Sequence, residues 1–189
     1  VVVVDVSPAN EVYLAGQHPG WHVRKRTAQG SWSGVDDFSL PSGKGAMPVR
    51  VRALSRVYVA GIARDAGDVP HWIVRRSDTS GSGFGTLDDL ASPIVSSLGG
   101  VGGVHEADSG SIIVTHGVPD ASGVVHLITR RSDDDGASWQ TIDDYQYASG
   151  KPTTGGAPPP DPSGYLYSVL GGVDGADKGH WLVRKLACQ

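Results

Sequence analysis

The sequence lacks the features of several common classes of protein. No stretch approaches the roughly 18 consecutive apolar residues of a membrane-spanning helix, and no window keeps a helical period. Basic residues form no run and the formal net charge is −4, so nucleic acid and anionic membranes are not expected partners. Val1–Val4 lacks the basic start and long apolar centre of a signal peptide, and we predict a strand there.

Cysteine is almost absent, since Cys188 is the single one in 189 residues. One thiol cannot form an internal disulfide, so the cysteine content carries no information about the redox compartment. Two interpretations stay open. Either Cys188 is a terminal thiol of no consequence, or it pairs with another chain.

Glycine and proline are abundant, with 27 and 12 residues between short bursts of valine, isoleucine and leucine. Such bursts predict many short strands joined by turns. The bursts also repeat. Near copies of one segment recur about every fifty residues, which is the signature of a repeat architecture. The copies are Trp21–Lys25, Trp72–Arg76, Leu127–Arg131 and Trp181–Lys185.

Each repeat is predicted to contain four strands, A to D, except that the fourth repeat has no strand D. This predicts an all-β fold, a β-propeller of four-stranded antiparallel blades, four-bladed or part of a larger ring. One domain is expected over residues 1–189, with repeats at about 1–45, 46–100, 101–153 and 154–189. The predicted strands are A at about 1–6, 48–53, 103–107 and 155–158; B at 12–16, 57–62, 111–117 and 165–170; C at 20–26, 71–77, 124–131 and 180–186; D at 32–38, 84–90 and 138–145.

One loop carries a recognisable motif, between strands C and D of the third repeat. Its sequence, Ser132–Trp139, has the pattern Ser-x-Asp-x-Gly-x-Ser/Thr-Trp. Asp134 is expected to accept hydrogen bonds from backbone N–H groups, and Gly136 to supply a backbone angle that other residues resist. Trp139 is expected to anchor the hairpin. A calcium site in Asp133–Asp135 is disfavoured, because three consecutive acids cannot all face one ion.

The first two repeats hold degraded versions of this motif, in which Thr79 stands in place of the aspartate of the second repeat. The retained residues are Ser77, Gly81 and Phe84 in the second repeat and Gly30 and Trp32 in the first. The motif and the repeat together resemble the Asp-box, or bacterial neuraminidase repeat, group of the sialidase-like β-propeller superfamily. In that family the box is a structural turn away from the active site, and the resemblance implies the same role here.

The resemblance raises the question of glycoside hydrolase activity. The family uses an arginine triad, a tyrosine–glutamate pair and an acid/base aspartate, usually announced by a Phe/Tyr-Arg-Ile-Pro segment that this sequence lacks. Its glutamates are Glu11 and Glu106 alone, and neither has a convincing tyrosine partner. Glu11 lies two residues from Tyr13, but both are assigned to the repeat framework. We therefore predict no catalytic residues, no metal and no cofactor.

Repeated polar residues are predicted to be structural, because equivalent residues on different blades are related by rotation and lie far apart. The arginines are expected to pair with the repeated Asp-Asp segments of strand D, and the histidines not to form a metal site. The tryptophans that open strand C are expected to pack between blades, with a sugar-stacking platform as the alternative. These residues are Arg24, Arg75, Arg130 and Arg184, His71, His126 and His180, and Trp21, Trp72 and Trp181.

Polar residues outside the repeat are the better candidates for a ligand site, because function concentrates on loops held by a rigid scaffold. The B–C and D–A loops share one end of each blade. Their candidates are His18, Lys44, Arg64, Asp65, Asp68, Asp120, Lys151, Asp174, Asp177 and Lys178.

Three functions remain open. The first is a non-catalytic module that binds glycans or protein partners, and the second is a fragment or divergent member of a sialidase-like glycoside hydrolase. The third is a structural protein that self-associates through open blade edges, since a missing strand D leaves an edge that proteins normally cover. We expect self-association or a longer native chain. The family resemblance implies a secreted or cell-surface location.

Overall fold

Every regular element among the described residues is a β-strand. The computed structural model describes residues 2–17, 20–92, 101–107, 110–156 and 165–187. The short β-branched bursts form the strands, since such side chains pack well on a pleated surface. The strands are β1 (Val2–Val6), β2 (Val12–Gln17), β3 (Trp21–Arg26), β4 (Trp32–Phe38), β5 (Gly45–Ala53), β6 (Val57–Arg64), β7 (Pro70–Arg76), β8 (Gly85–Ala91), β9 (Val101–Glu106), β10 (Ile112–Pro119), β11 (Val125–Ser132), β12 (Gln140–Tyr145), β13 (Thr153–Gly156), β14 (Tyr165–Val173) and β15 (Gly179–Ala187).

The strands form four antiparallel sheets, each made from consecutive strands. Sheet 1 is β1–β4, sheet 2 is β5–β8, sheet 3 is β9–β12 and sheet 4 is β13–β15. The predicted strands A to D are therefore confirmed, with shifts at some ends. β5 begins earlier than predicted, at Gly45, because its pairing with β6 continues across an irregularity at Pro48. β13 also begins earlier, at Thr153, and residues 157–158 of that predicted strand lie outside the described residues.

The chain divides into two compact units, Val1–Val95 and Ser96–Gln189, which hold two sheets each. In unit 1, Trp21 and Val23 of sheet 1 share a core with residues of sheet 2 such as Val59. In unit 2, Ile113 of sheet 3 packs with Leu166 of sheet 4. A single domain and a closed ring of blades stay predictions.

Burial differs between the sheets. In β6 of sheet 2 and β10 of sheet 3 almost every residue is buried, as the near-continuous apolar runs predict. In β2 of sheet 1 and β14 of sheet 4, buried residues alternate with more exposed ones. Sheets 1 and 4 therefore each present one face to solvent. The described residues contain no helix with the length and apolar character that a membrane crossing requires.

A β-bulge recurs where strand C pairs with strand D. The register shifts between Val23 and Arg24 in sheet 1, and at the matching positions of sheets 2 and 3. A bulge inserts one extra residue and re-aims the side chains next to it. Each bulge immediately precedes an Asp-Asp segment, so it sets the direction of the paired acids.

Candidate functional site

The repeated arginines bind an aspartate of the neighbouring sheet within each unit. In unit 1 the Arg75 guanidinium donates two hydrogen bonds of 2.7 Å to the Asp36 carboxylate. In unit 2 the Arg184 guanidinium contacts the Asp143 carboxylate at 2.6 and 3.2 Å. Both acids come first in their Asp-Asp segment. The predicted pairing of repeated arginines with strand D is confirmed for these two residues.

An aromatic ring two positions after the bound acid completes each contact. The Arg75 guanidinium carbon lies 4.3 Å from the centre of the Phe38 ring, and that of Arg184 lies 3.6 Å from the Tyr145 ring. A planar guanidinium can bind a carboxylate with its edge while its face packs on a ring. We call this arrangement the arginine clasp. Its arginine, acid and ring join two sheets, which makes their role structural.

The second acid of each Asp-Asp segment turns to the opposite face, toward a histidine of its own sheet. Alternation along a strand explains this, since successive side chains point to opposite faces. The pairs are His22 Nδ1 and Asp37 at 2.5 Å, His71 Nδ1 and Asp89 at 2.5 Å, and His126 Nδ1 and Asp144 at 2.9 Å. These contacts occupy two of the repeated histidines, His71 and His126, and also His22, each within its own sheet.

The motif loop between β11 and β12 folds around Asp134. Its carboxylate accepts hydrogen bonds from the Ser138 hydroxyl at 2.6 Å, the Ser138 N–H at 2.8 Å and the Ser132 hydroxyl at 2.8 Å. The Ser138 hydrogen bonds are the main reason that the pKa of Asp134 falls to about 2. Gly136 has φ 91°, and Trp139 lies 5.7 Å from the Arg130 guanidinium. The expected roles of Asp134 and Gly136 match this geometry.

The degraded turn of sheet 2 uses a different acid. Asp78, one residue before Thr79, accepts hydrogen bonds from the Ser80 hydroxyl at 2.6 Å and N–H at 2.8 Å. The Ser80 hydroxyl is the main cause that lowers the pKa of Asp78. Gly81 has φ 74°, and the Ser77 hydroxyl accepts the Val57 N–H at 2.9 Å. Sequence reasoning compared the turn position by position and so missed the substitution of Asp78 for the absent acid.

Glu11 has a tyrosine partner, which corrects the sequence-based expectation. The Tyr13 hydroxyl donates to the Glu11 carboxylate at 2.9 Å, and Lys25 Nζ lies 2.7 Å from the same carboxylate. Tyr13 is fully buried and touches Gly81 in the turn of sheet 2, while Lys25 donates to the Ser80 carbonyl at 2.8 Å. Burial raises the pKa of Tyr13, which opposes formation of a nucleophilic phenolate. This cluster supports the packing of the turn.

The B–C turns share one design in sheets 2, 3 and 4. The first residue is an aspartate whose carboxylate accepts backbone N–H groups of its own turn. The Asp65 carboxylate accepts the Val69 N–H at 2.8 Å. The Asp120 carboxylate accepts the N–H groups of Ser122 at 2.8 Å and Val124 at 3.0 Å. The Asp174 carboxylate accepts those of Ala176 at 2.8 Å and Lys178 at 2.9 Å. In each case a turn N–H is the main cause that lowers the pKa of the acid. The three candidate acids therefore hold their turns.

Other candidates for the ligand face have separate surroundings. The Arg64 guanidinium donates to the Asp68 carbonyl at 2.8 Å, and Asp68 has φ 68° in its turn. The Lys44 N–H donates to the Arg64 carbonyl at 3.1 Å, and the Lys44 side chain is exposed. Lys178 is exposed as well. His18 lies outside the described residues.

The turn end of sheet 4 brings several polar groups and an aromatic ring together. Lys151 forms an ion pair with Asp177 across the β12–β13 and β14–β15 connections. His180 Nε2 lies 2.8 Å from the Asp174 carboxylate, and the centre of the His180 ring lies 5.2 Å from the centre of the Tyr147 ring. We call these five residues the Tyr147 site. Sequence reasoning named its lysine and both acids as ligand-face candidates, predicted a structural role for His180 and did not name Tyr147.

Tyr147 packs directly on sheet 4. Its ring lies so close over Gly172 that an added Cβ there would be 2.7 Å from the tyrosine Cβ. Its N–H donates to the Thr153 hydroxyl at 2.8 Å, which holds the loop against the start of β13. A signal was present in the sequence, because Tyr147 is an unrepeated aromatic residue in a D–A loop. The site offers a ring surface, carboxylates and an ammonium group, which suits a hydroxyl-rich ligand.

Comparison with known proteins shows the fold alone. No protein-family profile and no curated protein matches the sequence. Among solved structures, the α-L-arabinanase of Penicillium chrysogenum complexed with arabinobiose has a TM-score of 0.66 at 13% identity, covering 96% of this chain and 60% of that one. A Hadza microbial sialidase has a TM-score of 0.61 at 14% identity, covering 98% and 44%.

A third solved structure, the endo-arabinase of Bacteroides thetaiotaomicron, has a TM-score of 0.54 at 14% identity, covering 97% of this chain and 73% of that one. These are β-propeller enzymes, so the all-β fold of this chain is similar to part of a β-propeller. The chain spans 60% of the length of the arabinanase and 44% of the sialidase.

Proposed function

We propose that the chain is a glycan-binding module that holds its ligand at the Tyr147 site and does not cleave it. The observation that carries this proposal is the Tyr147 ring beside His180, with an ion pair and a second carboxylate around it. An aromatic ring supplies a large apolar contact at small entropic cost, and the surrounding charges can orient hydroxyl groups.

The electrostatics of the site favour binding over hydrolysis. A glycosidase needs a carboxylic acid whose pKa is raised, so that it can protonate the leaving group. The pKa of Asp174 is instead lowered, mainly by the Lys178 N–H and also by His180. Asp177 is paired with the ammonium group of Lys151. Both acids suit the acceptance of hydrogen bonds from a sugar.

The ligand class follows from the fold relationship and the chemistry of the site together. The arabinanase of similar fold was solved with arabinobiose, so short arabino-oligosaccharides are the first ligands to test. Membership of the Asp-box group is part of the proposal, supported by the turn around Asp134. An extracellular location is also part of it, because polymeric glycans of this kind lie outside cells.

Calorimetric titration with arabinobiose and with a sialylated trisaccharide tests the proposal. We expect one of them to bind, and Tyr147→Ala to weaken binding by about tenfold or more through loss of the ring contact. Tyr147→Phe should retain most of the affinity. Tyr165→Ala is the matched control, since Tyr165 lies near Lys185 and outside the Tyr147 site. Equal affinity in wild type and Tyr147→Ala would refute the assignment.

Hydrolysis is the second candidate function, and the observation that favours it is the Glu11 carboxylate at an open pocket, since the buried Tyr13 is not suited to act as a nucleophile. A pocket of about 310 Å³ adjoins the pair and is lined also by Arg56, Ser80 and Gly81. Fluorogenic arabinosides and sialosides test this directly. If wild type releases the fluorophore and Glu11→Gln does not, the chain is a glycoside hydrolase and the binding proposal is wrong. Self-association is proposed separately, through the faces described below.

A further inference from the structure

Unit 1 shows how one sheet packs on the next. Trp21 of β3 is fully buried, and its ring lies over Gly61 of β6, where an added Cβ would be 2.7 Å from the indole. Val51 and Val59 of sheet 2 are buried in the same core. The contact therefore has two halves. One face carries the tryptophan, and the other carries valines around a glycine that leaves room for the ring.

Sheet 4 carries the tryptophan half on a face that none of the described residues covers. Trp181 lies near the start of β15 and Trp21 begins β3, and each is followed two residues later by a valine on the same face. Trp181 is 88% exposed and Val183 72% exposed, whereas Trp21 and Val23 are both fully buried. The expectation that Trp181 packs between blades is thus wrong within this chain. We call this surface the tryptophan face.

Sheet 1 carries the other half, which is likewise exposed within the part of the chain that the structure describes. In β1 and β2, Val4 pairs with Leu14 and Val2 with Gly16, as Val51 pairs with Val59 and Pro48 with Gly61 in sheet 2. Val4 is 59% exposed and Val2 72% exposed, while Val51 and Val59 are buried. An open pocket of about 380 Å³ lies at Gly16, bordered by Val2 and Leu14. We call this surface the glycine face.

We propose that the tryptophan face of one chain docks on the glycine face of a second copy, with Trp181 seated over Gly16. The chain contains both halves of a contact that it already makes once internally, so a second copy offers the complementary surface. The two faces differ, so the contact is head-to-tail and joins copies in a series or a closed ring. Exposed apolar patches of this kind mark interaction sites.

The contact between copies should be weaker than the internal one. Inside unit 1 the arginine clasp adds a bidentate ion pair between Arg75 and Asp36. On the glycine face the matching arginine is Arg24, which is exposed. Sheet 4 has three described strands and brings no described Asp-Asp segment to meet it. Association should therefore depend on protein concentration.

The inference does not rest on glycan binding. Trp181 and His180 are successive residues of β15 and point to opposite faces of sheet 4. Loss of association would therefore leave the Tyr147 site in place, and loss of sugar binding would leave the tryptophan face in place.

Light scattering after size exclusion, over two orders of magnitude in protein concentration, tests the proposal. Wild type should show a mass that rises with concentration. Trp181→Lys blocks one face and Val4→Lys blocks the other, and each replaces an exposed side chain, so the fold should survive. Each variant alone should be monomeric, with association weakened by about tenfold or more. Ile142→Lys, at an exposed apolar residue of sheet 3, is the control and should associate like wild type.

Mixing the two variants gives the sharpest outcome. Trp181→Lys keeps a free glycine face and Val4→Lys keeps a free tryptophan face, so a mixture should form a one-to-one dimer that grows no further. Wild type that stays monomeric at every concentration overturns the proposal. So does either variant that still associates alone, or a mixture that stays monomeric.

Discussion

The two units join their sheets with the same clasp but with different cores. In unit 1 the contact is apolar and aromatic, with Trp21 and Val23 on β3. At the matching positions of unit 2, β11 has Leu127 and Thr129, both fully buried. The clasp differs as well, since the Arg75–Asp36 side chains are 10% and 6% exposed and those of Arg184–Asp143 are 24% and 13% exposed. The same repeat thus tolerates a large change in the side chains of the core between its sheets, provided that the backbone pairing of the strands persists.

The largest effect is expected at the indole of unit 1. Trp21→Ala should lower the free energy of unfolding by about 4 kcal/mol, because it removes a fully buried ring and leaves a cavity. Trp181→Ala should change it by less than about 0.5 kcal/mol, since that ring is exposed. Urea unfolding at a concentration where the chain is monomeric measures both. Similar losses in the two variants would contradict the assignment of the two faces.

The second effect concerns the clasps. Asp36→Ala should cost about 3 kcal/mol, because Arg75 would be left as a buried charge without its bidentate partner. Asp143→Ala should cost roughly half as much, since water reaches Arg184 more easily. Each loss is measured by urea unfolding against wild type. A larger loss in unit 2 than in unit 1 would show that burial does not set the strength of the clasp.

The third effect is a pH dependence confined to unit 2. Burial lowers the pKa of His116 from 6.5 to about 3, with a smaller contribution from Arg130. Below pH 6.5 the unfolded chain takes up a proton that the folded chain refuses, so stability falls as the pH drops toward 3. The limiting slope for one such group is about 1.4 kcal/mol per pH unit.

Urea unfolding of wild type and His116→Gln at pH 7 and pH 5 checks this dependence. The difference between the two proteins isolates His116, because the other histidines are shared. Equal changes in stability with pH in both proteins would rule out a neutral, buried His116.

The smallest expected effect is a gain in stability. Thr129 is fully buried, and its hydroxyl has no hydrogen-bond partner among the residues that the structure describes. Thr129→Val keeps the shape and makes the position match Val23 of unit 1, so stability should rise by about 1 kcal/mol. Thr141→Val, at an exposed position of β12, should change it by less than about 0.5 kcal/mol. A loss of stability in Thr129→Val would indicate that the hydroxyl is satisfied.

Much of the fold could be predicted from the sequence, because strand and turn patterns are local and repeat four times. The observed strand ends lie within a few residues of the predicted ones, and the partner of Arg75 followed from the recurrence of Asp-Asp segments. The Tyr147 site was half predicted. Lys151, Asp174 and Asp177 are polar residues in loops, whereas the approach of Tyr147 to His180 depends on how one loop packs on Gly172.

The sequence by itself determined the strands, their order in each sheet and the turn around Asp134, since these depend on residues close together along the chain. Only the tertiary structure decided which of the matching residues are covered. Trp21 and Trp181 are each followed by Val-Arg-Lys at the same spacing, yet one is buried and the other exposed, because burial depends on whether another sheet lies over that face. The same holds for the burial of Tyr13, which depends on how the turn of sheet 2 packs on sheet 1.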